Sequence, residues 1–279
     1  VEAPRGWPPP RRKTRVFLAV AGSILASEDT LQLKTLKAAQ IGRAAGSFRV
    51  DRVIVYPDGE RSRGDARLLR LLLEYYSTPP YLRRRLFTLA GKLRYAGLMP
   101  PLQTPSHVVP PRVKPGMYVE GIVVDSAGEG STVFIGERAP RARVGVRLKP
   151  GRRVIIKIVK EKEDILEGVV RDPPFYWRFT VDYEPSLESL LDKWRGRMLL
   201  VAASRLGEPL IEDQIGLSAM RRGGLLLAFG GPRGHVWGDR SPQDLFDLVY
   251  NALPFQGNKT LRTEEAVQIA LARLDRYLS

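Results

Sequence analysis

Residues 225–266 read LLLAFGGPRGHVWGDRSPQDLFDLVYNALPFQGNKTLRTEEA. The apolar run 225–229 stops at Gly230-Gly231, and Pro232, Arg233 and Gly234 follow. A second apolar segment, 245–253, stops at another irregular loop, 254–262, which again holds Pro and Gly. Thr263-Glu264-Glu265 then opens a helix. Two successive strand-end loops of this kind suit backbone held close to a ligand. Glycine permits positive φ and close approach, and proline fixes φ without offering a donor. Leu245, Leu248, Val249 and Ala252 are also at helical spacing, so periodicity leaves 245–253 open between strand and helix.

The residues narrow the ligand. A dinucleotide site would place G-x-G-x-x-G directly after the first strand, and nothing near 16–21 supplies it. A P-loop needs Gly-Lys-Ser/Thr, whereas Gly257-Asn258-Lys259-Thr260 is one residue out of register and lacks the upstream glycine. Glu264 and Glu265 suit the N-terminus of the last helix but would repel a phosphate. A ligand without phosphates fits better, and S-adenosylmethionine, with a cationic sulfonium and amine, is one. Two ordinary loops ahead of a capped helix would explain the spacing equally well.

The chain has 279 residues, 43% of them hydrophobic, enough for one large domain or two ordinary ones. Its net charge of +15, from 45 Lys and Arg against 30 Asp and Glu, argues for a polyanionic partner, most simply nucleic acid. It contains no cysteine, which excludes disulfides, thiolate metal sites and cysteine nucleophiles. With only His107 and His235, a histidine-rich metal centre is not expected either. No apolar run approaches the ~18 residues of a membrane span. The basic, proline-rich start lacks the apolar core of a signal peptide, and the expected location is cytoplasmic.

Read in order, residues 1–13 suggest a flexible basic arm. The uncharged run 16–20 is a strand covered on both faces, which implies a parallel sheet. A helix over 29–48, a strand over 50–56, a leucine-rich helix over 66–76 and a short helix carrying Arg83, Arg84 and Arg85 follow. Six prolines over 100–115 mark a boundary. Five short Val- and Ile-rich strands then occupy about 118–171, which suits a small barrel such as an OB fold. Arg141, Arg143 and Arg147 are among its basic residues, the pattern of a nucleic-acid-binding barrel. A ligand-free spacer barrel is the plainer reading. After Asp172-Pro173-Pro174 come a strand over 176–183, a helix over 185–194, a strand over 198–203 ending in a loop at Ser204, the strand 225–229, and a last helix over 263–278.

Phe229-Gly230-Gly231-Pro232-Arg233-Gly234, Asn251-Ala252-Leu253-Pro254-Phe255-Gln256-Gly257 and Thr260-Leu261-Arg262-Thr263-Glu264-Glu265-Ala266 resemble the C-terminal part of the SPOUT superfamily of RNA methyltransferases. The likeness is to its uridine-N3 branch with an inserted OB domain. Gly22-Ser23-Ile24-Leu25, Gln40-Ile41-Gly42-Arg43-Ala44, Pro80-Tyr81-Leu82-Arg83-Arg84 and Gly121-Ile122-Val123-Val124-Asp125 match in the same order. The resemblance implies an α/β, trefoil-knotted methyltransferase domain over 14–104 and 175–279, interrupted by an OB-like barrel over 105–174. It also favours a strand for 245–253 and a homodimer.

The implied cofactor is S-adenosylmethionine, on Ser204, Gly230, Gly231, Pro232, Gly234, Asn251, Leu253, Pro254, Gly257, Thr260, Leu261 and Thr263. The implied substrate is a uridine of ribosomal RNA, methylated at N3 without a metal. Arg43, with Arg262 second, is the implied guanidinium for the charge that develops on the base. For either arginine an ion pair is the structural alternative. Arg83, Arg84, Arg141, Arg143 and Arg147 would meet RNA. Two other readings stand beside this one: a non-catalytic RNA-binding protein on a knotted scaffold, and a methyltransferase for another base or RNA.

Overall fold

The computed structural model describes residues 5–88, 91–108, 112–137, 139–162, 165–209, 212–231 and 241–278. In chain order its elements begin β1 (Val16–Ala21), α1 (Leu31–Ser47), β2 (Arg52–Tyr56), α2 (Arg63–Tyr76), α3 (Pro80–Leu86), β3 (Tyr118–Ala127), β4 (Gly130–Phe134), β5 (Arg141–Val144), β6 (Arg153–Lys162) and β7 (Ile165–Val170). They continue with β8 (Thr180–Tyr183), α4 (Leu187–Trp194), β9 (Leu199–Glu208), α5 (Glu212–Arg221), β10 (Leu225–Phe229), α6 (Pro242–Leu245), β11 (Leu248–Tyr250) and α7 (Thr263–Leu274). The chain forms two compact units.

The larger unit is Arg12–Ser77, Leu89–Leu102 and Arg178–Ser279. Its sheet has six strands in the order β11-β9-β10-β1-β2-β8, and every pairing is parallel. Every residue of β1 and β10 is buried, as a central parallel strand with helices on both faces requires. The helices show one apolar face each: Leu68, Leu69, Leu72, Leu73 and Tyr76 of α2 are buried, each large side chain contributing about 1.5–3 kcal/mol. Thr30 caps α1 by accepting from Leu33 N at 3.2 Å, and Ser186 caps α4 by accepting from Ser189 N at 3.2 Å. Among the described residues, no helix is long and apolar enough to cross a membrane.

Several boundaries differ from the sequence reading. The segment 245–253 is strand only over β11. Ser241-Pro242 first starts one helical turn, with Ser241 Oγ accepting from Gln243 N. The strand expected to end at Ala203 runs on to Glu208, because Tyr250 pairs with Glu208 and Gly207 lies against the Val249 carbonyl. Ser204 is therefore in a strand extension. Helix α5 had no signal in the sequence reading. The strand read over 176–183 is confined to β8.

The smaller unit is Val1–Arg11, Thr78–Thr88 and Gln103–Trp177. Strands β3–β7 close a barrel in the order β3-β4-β5-β7-β6, sealed by β3 against β6, with β5 and β7 parallel. Val119, Val123, Val133, Ala142, Ile156, Ile158 and Leu166 fill its core. Helix α3 belongs to this unit: Leu82 packs with Ile122 and Phe134, and Tyr81 Oη donates to the Glu120 carbonyl at 2.9 Å. Glu120, fully buried, is neutralised by Arg153 at 2.6 Å and accepts from Trp177 Nε1 at 3.2 Å. Parts of the expected basic arm make defined contacts. Within the smaller unit, Pro9 O accepts from Tyr176 N at 2.9 Å. Within the larger one, Arg12 is ion-paired with Asp275.

Candidate functional site

Because all six strands of the larger unit are parallel, their C-terminal ends lie along one edge. The order reverses between β1 and β10: later strands lie beyond β2 on one side and beyond β10 on the other. That switch point is where open parallel sheets bind ligands.

Three strand ends meet there. After β1 the chain makes a tight turn, Gly22–Ser27, and a β-carbon on Gly22 would stand 2.5 Å from that of Ala66. Ser23 N donates to Asp58 Oδ1 at 3.1 Å, and Ser23 Oγ donates to Asp58 Oδ2. A β-carbon on Gly231, just after β10, would stand 1.8 Å from Ser23 Oγ and 3.1 Å from Asp58 Oδ2. Gly231 is thus glycine for space and not for φ, which is not positive there. Beneath it, Tyr56 Oη donates to the Phe229 carbonyl at 3.3 Å. Burial first, then Asp58 and Glu188, push this hydroxyl well above the ordinary tyrosine value, so it stays a donor.

A second cluster fixes the entry to α7. Lys37 is buried and donates to Ser27 Oγ at 2.6 Å and to the Ile24 carbonyl at 3.2 Å. Its Nζ lies 2.9 Å from Glu28 and 3.4 Å from Glu264, both buried carboxylates. Arg262 pairs with Glu28 and, at 2.8 Å, with Glu264. Burial alone would raise the Glu28 carboxyl, but the Lys37 hydrogen bond and charge, with Arg262, hold it below its usual value. Thr263 Oγ1 donates to the Gly230 carbonyl at 3.3 Å, which ties the start of α7 to the end of β10.

The third group joins β9 to the loop after β11. Asn251 Nδ2 donates to the Arg205 carbonyl at 2.9 Å, and Asn251 Oδ1 accepts from Leu253 N at 3.1 Å. Arg205 donates to the Lys259 carbonyl at 3.1 Å, and Ser204 Oγ accepts from Leu206 N at 3.2 Å. Pro254 and Leu261 are half-buried, and Gly257 and Thr260 are exposed. A β-carbon on Gly257 would meet nothing within 4 Å, so the chain itself leaves that space open.

The sequence-derived residues therefore fall into separate places. Gly230, Gly231 and Thr263 meet at the switch point, while Ser204, Asn251 and Leu253 lie around the adjoining loop. Pro232 and Gly234 lie outside the described residues. Arg262 is bound by two carboxylates, so the ion-pair alternative holds for it. Arg43 is exposed and donates to the Pro101 carbonyl at 2.8 Å. It lies twelve residues into α1, roughly 18 Å along the helix from the end beside the switch point.

In the smaller unit, Arg83 Nε donates to the Thr78 carbonyl at 2.9 Å. Arg84, Arg143 and Arg147 are exposed, and Arg141 lies over the Phe134 ring at 4.7 Å. Sequence reasoning missed Lys37, Glu28, Tyr56 and Asp58. Lys37 had a signal: a lysine four residues before Ile41 and seven before Ala44 stands on the buried face of α1. Among the described residues no three His, Cys, Asp or Glu side chains gather as for a metal ion.

Residues 15–274 match the family described as "Putative RNA methyltransferase", and the chain belongs to that family. It is 31% identical over 302 aligned residues to the 28S rRNA (uridine-N(3))-methyltransferase of Homo sapiens, covering 94% of this chain and 78% of the relative. It is 33% identical over 285 residues to an uncharacterized protein of Halobacterium salinarum, covering 94% and 98%. The SpoU methyltransferase AviRb of Streptomyces viridochromogenes, solved with AdoMet, aligns over 96% of this chain and 62% of its own at 10% identity. The TM-score is 0.37, too low for that likeness to bear on the fold.

Proposed function

We propose that this RNA methyltransferase moves a methyl group from S-adenosylmethionine to N3 of a uridine in ribosomal RNA, as a cytoplasmic homodimer. The observation that carries the cofactor reading is the close fit of the Gly231 loop onto Ser23 and Asp58 at the switch point, where a β-carbon would collide with Ser23 and push the loop away. Backbone of Gly230, Gly231, Leu253, Gly257 and Leu261 would hold the cofactor, with Thr263 fixing the Gly230 loop. Bound there, S-adenosylmethionine supplies an electrophilic methyl group on a sulfonium. The base and RNA assignment follows the name of the human relative.

The chain's own task is to align N3 with the cradle and to favour loss of its proton. Positioning supplies much of the rate. A guanidinium close to the base stabilises the negative charge that forms as the proton leaves. Arg262 is not that group, because Glu28 and Glu264 engage it. Arg43 takes that role in this reading; because it stands far along α1 from the switch point of its own copy, it would serve the site of a second copy in a homodimer.

The barrel is read as an OB fold, since its order β3-β4-β5-β7-β6 with β5 parallel to β7 is a closed five-stranded Greek-key arrangement. A knot is supported by the path after β11. That strand lies on one side of β9, yet Thr263 stands at Gly230, at the end of β10 on the other side of β9. Incubation of the protein and labelled S-adenosylmethionine with unmodified ribosomal RNA, followed by nucleoside mass spectrometry, tests the whole reading. 3-Methyluridine is expected, and label in any other nucleoside overturns it.

A further inference from the structure

The smaller unit carries 18 of the 45 Lys and Arg and 10 of the 30 Asp and Glu, so it holds +8 of the net +15 in about a third of the chain. The outer side of its barrel is not a plain solvated surface. In the register of β3, β6 and β7, Tyr118 stands opposite Lys157 and Lys157 opposite Val169. Val119, Ile156, Ile158 and Leu166 point inward and are buried, so by alternation Tyr118, Lys157 and Val169 point outward in one row. Val159, at a bulge in β6, is diagonal to Val169 and also outward. Val159 is 51% and Val169 45% exposed.

Phe175 extends the row. Its ring meets Tyr118 edge-on at 5.7 Å and Trp177 at 6.2 Å, and Lys157 Nζ lies 5.9 Å from the Tyr118 ring. Tyr118 and Phe175 are both half-exposed. The acidic residue of the neighbouring row, Glu167, is neutralised: it accepts from Lys162 at 2.9 Å. That bond, with Lys162, Lys160 and Arg143 close by, holds its carboxyl below the usual value.

Half-exposed rings, aliphatic side chains and cations in one surface are what a base, a ribose and a phosphate require together. A second copy of the chain is a poorer occupant, because it would oppose like charges across the contact. We propose that the outer face of β3, β6 and β7 binds single-stranded RNA, with bases stacking on Tyr118 and Phe175 and phosphates meeting Lys157 and Lys160. The proposal rests on RNA being the partner of this family, and it places the contact on a surface distinct from Arg141 and Arg147.

The test is binding of the full chain to a fluorescein-labelled oligouridylate of about twelve nucleotides, read by anisotropy at rising salt and by quenching of the protein's own fluorescence. Tyr118→Leu, which keeps an apolar side chain, is expected to weaken binding at least about fivefold and to reduce the quenching. Lys157→Gln is expected to lower the slope of log Kd against log salt by about 0.7. Val169→Glu, fully compatible with the fold at its exposed site, is expected to weaken binding by repulsion. Calorimetry with S-adenosylhomocysteine should be unchanged in all three. Wild-type affinity in both Lys157→Gln and Val169→Glu overturns the proposal. So does failure of the wild-type chain to bind the oligomer; unaltered cofactor binding would then leave the methyltransferase reading intact. A change of mass in sedimentation with Val169→Glu, at unaltered RNA affinity, would make the face a contact between copies and also overturn it.

Discussion

Gly231 presses on Ser23 so closely that a β-carbon would stand 1.8 Å from the Ser23 hydroxyl oxygen, which Asp58 already holds. The loop leaving β10 and the turn leaving β1 are therefore fitted to each other through an absent side chain. Gly231→Ala is expected to destabilise by about 1–3 kcal/mol, the usual cost of overpacking, and to weaken S-adenosylhomocysteine binding at least tenfold by displacing the loop (about 1.4 kcal/mol). Without the Ser23 hydroxyl the nearest Ser23 atom is its β-carbon at 3.1 Å. Ser23→Ala combined with Gly231→Ala should then recover part of both losses. Thermal melts and calorimetry on the four proteins measure this, and simple additivity would show that the two residues do not compete for space.

Lys37 is expected to matter more for stability than its place on a helix suggests. Lys37→Met leaves Glu28 and Glu264 buried with Arg262 alone, and loss of one partner in such a cluster costs about 3–5 kcal/mol. The pH dependence follows from the direction of the Glu28 shift. Its folded carboxyl lies below its unfolded value, so its contribution is present above the unfolded pKa and is lost as pH falls through the folded one. The gap between wild type and Lys37→Met should therefore narrow on acidification. Urea melts across the carboxylate range would show it, and a gap that widens as pH falls would contradict the assignment.

How much of this was legible in the sequence follows from period and punctuation. Residues 16–20 and 225–229 are uninterrupted apolar runs, and both are central parallel strands. The five Val- and Ile-rich segments are the five strands of the barrel, because alternation reports a half-buried strand directly. The segment 245–253 could not be resolved, since a three-residue strand beside a one-turn helix carries no period of its own. Glycine-bearing loops located the switch point, but the residues that complete it do not advertise themselves. Ser23 and Asp58 are 35 positions apart and meet only because β1 and β2 are neighbours. Arg262 looked like a candidate for chemistry because sequence cannot show which carboxylates a guanidinium will find.

Arg43 gives a test of the dimer. Arg43→Ala should lower turnover at least a hundredfold, about 2.7 kcal/mol of transition-state stabilisation, and leave cofactor affinity and thermal stability unchanged. Among the described residues its hydrogen-bond acceptor is one carbonyl, Pro101 O, and water can replace Arg43 there. If Arg43 serves the site of the other copy, Arg43→Ala mixed and refolded with Gly231→Ala should regain activity. One mixed dimer then holds an intact Gly231 cradle facing an intact Arg43. At a cofactor concentration well below the raised Kd of Gly231→Ala both variants are impaired alone, so the readout is methyl transfer by the mixture above the sum of the two. No gain on mixing would mean that Arg43 does not act across copies.

The basic side chains of β5 and the segment after it should carry affinity and not chemistry. Arg141, Arg143 and Arg147 are all exposed, and the Arg141 guanidinium lies over the Phe134 ring. Phosphate contacts position a nucleic acid without reading its sequence, and each releases counterions. Replacing Arg141, Arg143 and Arg147 together by Ala should weaken RNA binding and lower the slope of log Kd against log salt by about two, at about 0.7 for each phosphate neutralised on a single strand. Cofactor affinity should not change, because Gly230, Gly231 and Leu253 belong to the other compact unit. Stability should fall only slightly, since among the described residues the ring contact of the three is that of Arg141 with Phe134, a cation–π contribution of about 0.5–1 kcal/mol. Affinity for structured ribosomal RNA, measured at several salt concentrations for wild type and the triple variant, separates the possibilities. A parallel pair of lines at equal affinity would remove these arginines from the RNA interface.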